Sequence, residues 1–251
     1  MAGVDGRVAM VTGSGRGIGK ATADLLAERG AIVIGIARSE AELKAAGHDY
    51  VVADLGTVQG CEQAVAKAEK KLGPTDIFVC NHGIGSAHER VVWEQDPEIW
   101  AETMRVNLDG PFYLSRSLLK GMTERGYGRV VYTSSTAGLL AEPAGSAYNS
   151  SKHGLLGLMR SVSLDGGPYG VTANAVLPGW VRTEMAERSA EQEAKDRGLS
   201  VAEIWDERAA LYPPGRVVEP EEVAEAIAFL AAEESSGISG EAIRVALGSV
   251  W

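Results

Sequence analysis

Disulfide chemistry has little to work with in this chain: Cys61 and Cys80 are its two cysteines in 251 residues. Two thiols make no disulfide framework, and the expectation is a reducing, cytoplasmic setting. Histidine is as scarce, with four in all. Cys80 and His82 lie two apart, but no second pair completes a metal site, so no metal is expected. No apolar run approaches the ~20 residues of a membrane span. The opening "MAGVDGRVAM" leads straight into a strand-like stretch without the apolar core of a signal peptide. Basic residues are outnumbered, 24 Lys and Arg against 34 Asp and Glu, for a net charge of −10. A polyanion would be repelled overall, so neither nucleic acid nor an anionic membrane surface is an expected partner. Repeats, low-complexity tracts and Pro/Gly/Ser linkers are also missing, and a chain of this length reads as one domain, 1–251.

What is present is alternation. Apolar, β-rich runs fall at 7–13, 31–37, 50–55, 76–81, 129–135, 171–177 and 242–247, most of them continuous enough for strands buried on both faces. Helical patterns occupy 17–29, 39–46, 57–72, 96–125, 147–165 and 219–233. Strand and helix in turn predict an α/β fold: a doubly wound parallel sheet of about seven strands with helices on both faces. One long interruption, 178–218, is charged and helix-prone, the kind of connection that serves as a lid.

The first strand ends in "VTGSGRGIGK", with glycines at 13, 15, 17 and 19. A strict G-x-G-x-x-G is not met, since Ile18 stands at the last position. Placement between a strand and a helix matters more, because there the backbone and a helix N-terminus can receive a pyrophosphate. The second strand ends in Ala37 and Arg38, with no acid to hold the free ribose hydroxyls of NAD, and Arg16 lies in the glycine turn. Two cations and a missing acid point to NADP(H), with NAD(H) as the lesser cofactor. In "SAYNSSKHG", Tyr148 and Lys152 sit four apart, one helical turn, where an ammonium would lower the pKa of a phenol and ready it to move a proton.

Together "TGSGRGIG", "CNHG", Asn107, "YTSS" and "YNSSK" resemble, in order and spacing, the short-chain dehydrogenase/reductase family, from Arg7 to about Leu247. The resemblance implies a Rossmann fold and hydride transfer between NADP(H) and an alcohol or ketone. It implies Tyr148 as the catalytic acid/base, Lys152 as the group that lowers its pKa and holds the nicotinamide ribose, Ser135 as donor to the substrate oxygen, and Asn107 as support for a proton relay. For the cofactor it implies Gly13, Ser14, Gly15, Arg16, Gly17, Ile18 and Gly19 at the turn, Arg38, Asp54, Leu55, Asn81 and Gly83 on the adenosine side, and Pro178, Gly179, Val181 and Thr183 flanking the nicotinamide. It further implies a homo-oligomer, a tetramer or dimer.

The chain departs from the family's Asn-Asn-Ala-Gly with Cys80, Asn81, His82, Gly83, and from its Val-Asp-Gly-Gly with Val245, Ala246, Leu247, Gly248. His48, His88 and His153 are given no role. The substrate pocket is expected from segments 136–147 and 178–218, with Leu139, Leu140, Trp180, Met185, Trp205 and Tyr212 as apolar members and Glu142 and Arg182 as polar ones. Rival readings are a 3-oxoacyl-thioester (acyl carrier protein) reductase, which would want a basic patch for its acidic carrier; an NAD-using hydroxy-acid dehydrogenase; and a non-catalytic dinucleotide sensor.

Overall fold

The computed structural model describes residues 3–86 and 90–249, leaving His88 outside the described residues. All seven expected strands form: β1 (Val8–Thr12), β2 (Ile32–Ala37), β3 (Asp49–Val52), β4 (Ile77–Cys80), β5 (Gly128–Thr133), β6 (Val171–Pro178) and β7 (Ala242–Val245). They lie parallel in one sheet, in the order β3-β2-β1-β4-β5-β6-β7. The chain starts at β1, winds outward to β3, then returns to place β4 on the other side of β1. That reversal leaves a crevice at the carboxyl ends of β1 and β4.

Strand alternation feeds two cores. Met10, Phe78 and Cys80 face one layer, with Cys61 and Ala64 of α3 (Val58–Leu72), Leu114 and Leu118 of α5 (Gly110–Arg125), and Leu155 and Met159 of α6 (Ser146–Gly166). Ala9, Val11, Ile77 and Val79 face the other, against Ala23 and Leu26 of α1 (Gly17–Glu28) and Val223 and Ile227 of α9 (Pro220–Ala231). Adjacent residues of β1 thus serve opposite helix layers, which is why its sequence shows no polar face.

The single helix expected over 96–125 is interrupted. It runs as α4 (Pro97–Met104), a π-helical turn over Arg105–Asp109, and α5. A π turn inserts residues without ending the helix, so apolar periodicity hardly registers it, and such turns favour functional sites. Between β2 and β3 lies α2 (Glu40–Ala46).

The 178–218 segment forms α7 (Glu184–Arg197) and α8 (Val201–Ala210). Thr183 caps α7 by accepting from Ala186 N, Gly198 ends it at φ 67°, and Ser200 opens α8 with a capping box to Glu203. The two helices share a core with the body of the domain, with Ala186, Ala190 and Ala194 of α7 against Ile204 and Trp205 of α8 and against Tyr212, Val217 and Ala246. At its base the segment is pinned shut: Arg182 N donates to Val218 O and Val218 N to Trp180 O, each at 2.9 Å.

Candidate active site

A cleft of ≈ 1110 Å³ follows the carboxyl ends of the strands and continues under α7. A single small-molecule site commonly holds ~300–1,000 Å³, so a dinucleotide and a substrate can share this one.

The glycine turn forms one wall. Gly13 and Gly17 adopt φ of 66° and 53°, left-handed values that suit glycine. Gly15 presses on α2, where a Cβ would come 2.8 Å from Glu42 Cβ. Helix α1 begins here with no side-chain cap at Arg16 and no acid in its first turn. Its first N–H groups and positive dipole end are therefore available to an anion, and the turn fits a pyrophosphate. Gly13, Gly15, Arg16, Gly17 and Ile18 line the cleft. Ser14 and Gly19 stand behind this wall. Ser14 is buried with Oγ turned toward Gly35 of β2, and Gly19 lets α1 approach the turn so closely that a Cβ would strike Gly13 O.

At the adenosine end Arg38, Asp54, Leu55, Asn81 and Gly83 all line the cleft. Asp54 accepts from Gly56 N at 3.1 Å and from Arg105 Nη1 at 3.1 Å, and the backbone bond above all holds its carboxyl below the usual range. The surprise is Arg16. Its Nη1 donates to Glu42 of α2 and to Glu184 of α7, each at 2.9 Å. The acid missing from the end of β2 thus arrives from the next helix. Arg38, by contrast, makes no hydrogen bond or ion pair with any described residue.

His82, the family's alanine position, turns inward. Its Nδ1 lies 2.9 Å from Thr12 Oγ1, which also receives Asn81 N at 2.9 Å and His82 N at 3.2 Å. Nε2 is buried with no partner among the described residues. Burial pushes the imidazole down to about 3, so it is neutral under ordinary conditions. The shared hydroxyl and the ring fix the end of β4. Cys80 is buried below, its thiol raised by desolvation.

The middle of the cleft gathers Ser135, Tyr148 and Lys152. Lys152 is 5% exposed, and its Nζ donates to Thr133 O at 3.0 Å and lies 5.6 Å from the centroid of the Tyr148 ring. Burial lowers its ammonium to about 8. Gly138 lets the turn after β5 sit on α6, where Ser134 Oγ donates to Lys152 O at 3.1 Å. Ser135 Oγ accepts from Ala137 N at 3.1 Å, which caps that turn and leaves the hydroxyl proton available. Asn107 does not line the cleft. From the π turn its Oδ1 accepts from Ile84 N at 2.8 Å, and its Nδ2 donates to Ile84 O at 3.0 Å and Ser151 Oγ at 3.2 Å. It clamps the strand-end loop against α6. Gly83 is needed beside it, since a Cβ there would stand 3.2 Å from Asn107 Oδ1 and 3.7 Å from Lys152 Nζ.

On the far side Pro178, Gly179, Val181 and Thr183 line the cleft, with Glu142, Trp180, Met185 and Tyr212 toward the substrate end. Ser189 and Leu211 join them and were not anticipated. Four expected pocket members lie elsewhere. Leu139 and Leu140 sit exposed on the turn after β5. Trp205 is 6% exposed inside the α7–α8 core, donating from Nε1 to Glu187 at 2.7 Å, and Arg182 stacks on it at 4.1 Å.

Residues 13–249 match the family model described as enoyl-(acyl carrier protein) reductase. The chain is 34% identical over 249 residues to the 3-oxoacyl-[acyl-carrier-protein] reductase FabG of Vibrio cholerae, covering 96% of each. It is 34% identical over 258 residues to the D-beta-hydroxybutyrate dehydrogenase of Cupriavidus necator, covering 99% of this chain and 96% of the other. Its fold is similar to that of a crystallised actinorhodin polyketide ketoreductase variant with NADPH, at a TM-score of 0.91, 35% identity, and 99% and 98% coverage.

The chain belongs to the short-chain dehydrogenase/reductase family. As a member of that family it is an oxidoreductase of the alcohol dehydrogenase and ketoreductase kind, using a nicotinamide cofactor. Among the described residues of this short-chain dehydrogenase/reductase no helix is long and apolar enough to cross a membrane, and no group of His, Cys, Asp and Glu is placed to hold a metal.

Proposed function

We propose that this short-chain dehydrogenase/reductase prefers NADP(H) and interconverts a ketone and a secondary alcohol with Tyr148 as its acid/base. The observation that carries the reading is the buried Lys152, held by Thr133 O and facing the Tyr148 ring inside the cleft that also contains Ser135. When bound, the nicotinamide cofactor gives or takes the hydride. The chain's own groups handle the proton. Tyr148 donates it to the oxygen of a reduced ketone or removes it from an alcohol. Lys152, charged below about 8, favours the phenolate near neutrality. Ser135 gives its free proton to the substrate oxygen as charge develops there. Asn107 is a positioning residue, and the turn it sits on supports a relay behind Lys152. Arg38, aided by Arg16, receives the 2′-phosphate. The 178–218 segment acts as a lid of the single domain, hinged at its pinned base.

A cytoplasmic homo-oligomer, tetramer or dimer, belongs to the same proposal. Exposed Trp100 on α4 and Phe112 on α5 support it as apolar surface in need of cover. The Vibrio cholerae relative favours the thioester reading, but the net charge of −10 gives an acidic carrier little to grip. A dinucleotide sensor would have no use for Tyr148, Lys152 and Ser135 in one cleft.

The test is NADPH oxidation with a panel of ketones by wild type and Tyr148→Phe. The variant is expected to bind cofactor normally and lose ~10²-fold or more in kcat. Turnover within a few-fold of wild type removes Tyr148 from the chemistry.

A further inference from the structure

The substrate end of the cleft carries a carboxylate on an exposed loop residue. Glu142 lies on the loop between Ser135 and Tyr148 and lines the cleft with Trp180, Tyr212 and Leu211. Its backbone is fixed: Asn149 Nδ2 donates to Glu142 O at 2.8 Å, and Asn149 is the residue after Tyr148. Two positions on, Ala144 holds a φ of 51°, which a residue with a Cβ adopts only when its surroundings impose it. The loop is thus set relative to the helix that carries the acid/base. The Glu142 carboxylate makes no hydrogen bond or ion pair with any described residue.

The cations nearby make their hydrogen bonds and ring contacts elsewhere, although Nε of Arg208 has no partner among the described residues. Arg208 is 4% exposed, stacked 3.6 Å from the Trp180 ring centroid, and donates to Ala186 O at 3.0 Å, Ser189 Oγ at 3.1 Å and Glu193 Oε2 at 2.9 Å. Arg182 lies over Trp205, and Arg188 pairs with Glu184. Desolvation raises the Glu142 carboxyl, with Arg208 opposing and Glu193 adding to the rise. Glu142 is an exposed residue of its loop, so the carboxylate meets solvent on one side and this largely apolar wall on the other, with Arg208 the cation that attracts it.

We propose that Glu142 selects the substrate of this reductase: it accepts a hydrogen bond from a hydroxyl carried near the reacting carbonyl and repels a carboxylate in the same place. A carboxylate oxygen pair offers acceptors and no donor, so a hydroxyl satisfies it and a second carboxylate opposes it. The inference deepens the oxidoreductase reading and rests on it. Of the two chemistries named by the curated relatives, it disfavours the free hydroxy acid and is neutral toward a thioester.

Three ketones of similar size separate the outcomes: 4-hydroxy-2-butanone, 2-pentanone and 3-oxobutanoate. Each is measured for kcat/KM with NADPH, and for affinity to the enzyme with NADP+, which cannot reduce a ketone. Wild type is expected to favour the hydroxyketone over 3-oxobutanoate by about tenfold or more in both readouts. Glu142→Gln, whose unaltered cofactor affinity reports a folded site, should recover about tenfold on 3-oxobutanoate and shift 2-pentanone by less than about threefold. An unchanged ratio of 3-oxobutanoate to 2-pentanone between wild type and variant overturns the inference. The expected affinity ranking with no turnover of any ketone would overturn the reductase reading and leave the role of Glu142 standing.

Discussion

Arg16 and Arg38 look equivalent as phosphate ligands, and the structure makes them unequal. A charge-assisted hydrogen bond to a phosphate contributes ~1.5–3 kcal/mol. Arg38 can deliver that in full, since no described residue holds it. Arg16 has first to leave Glu42 and Glu184, both 2.9 Å away. All three side chains are over a third exposed, so each pair contributes only ~0.2–1 kcal/mol. Losing both leaves Arg16 a net gain of ~1 kcal/mol, or about fivefold in affinity. Arg38→Ala should therefore weaken NADPH by about 10- to 100-fold, and Arg16→Ala by about fivefold. Glu42→Gln, which frees Arg16 from one competitor and removes a negative charge from beside the phosphate, should tighten NADPH by about two- to fivefold. NADH, which lacks the 2′-phosphate, should gain less from it. Fluorescence titration of both cofactors against wild type and the three variants at fixed ionic strength measures all of this, and the NADPH differences should shrink in high salt. The reasoning is refuted if Arg16→Ala costs as much as Arg38→Ala, or if Glu42→Gln leaves NADPH affinity where it was.

His82 is neutral in the fold down to about 3 but titrates near ~6.5 in an unfolded chain. The unfolded state binds the extra proton, so this group's contribution is complete above ~6.5 and is lost as pH falls toward 3. Urea midpoints should show wild type losing about 2 kcal/mol more than His82→Ala between pH 7.5 and 5, and parallel profiles would disprove the linkage. Trp205→Ala removes a buried ring from the α7–α8 core, a change that commonly costs ~3–5 kcal/mol. Amide exchange should accelerate across 184–210 and stay unchanged in β1, β4 and β5, with KM for a ketone raised and NADPH affinity little altered. If exchange accelerates evenly through the sheet, the lid does not melt independently.

Most of the architecture was legible because burial on both faces leaves long apolar runs. Every run read as a strand is one, usually trimmed by a residue or two where the chain turns toward the cleft. The sheet's end of β3 is an example: Asp54, placed within the expected strand, instead accepts from Gly56 N in a turn. Ser135, Tyr148 and Lys152, named through the resemblance of "YTSS" and "YNSSK" to the family, do line one cleft, because one turn–helix unit carries all three. Asn107 was legible as a residue, but the π turn that holds it was not, since such a turn leaves almost no mark on periodicity. Glu42 left no signal at all. Its importance comes from the packing of α2 on Gly15, a tertiary contact between segments whose own patterns are ordinary.

The 178–218 segment shows where pattern reading stops. Most of its charges are exposed as expected, but Arg208 of α8 is buried among Trp180 and Trp205. But an apolar face does not say what it faces. Trp205 was assigned to the ligand, whereas it packs against α7 between Arg182 and Arg208. Trp180 and Tyr212 were assigned to the ligand and do reach the cleft, joined to each other by Trp180 N donating to Tyr212 Oη at 2.6 Å. The difference lies in their distance from the pinned base. Trp180 directly precedes the bridge residue Val181 and its O accepts from Val218 N, and Tyr212 follows α8 back toward it, so both are held near the sheet. Trp205 sits mid-helix, where the nearest surface to bury is the neighbouring helix. The cluster around Trp205 also takes in Val217 and Ala246, so this ring is buried between the helix pair and the body of the domain, and an aromatic residue in a charged, helix-prone segment can be used wholly in that packing.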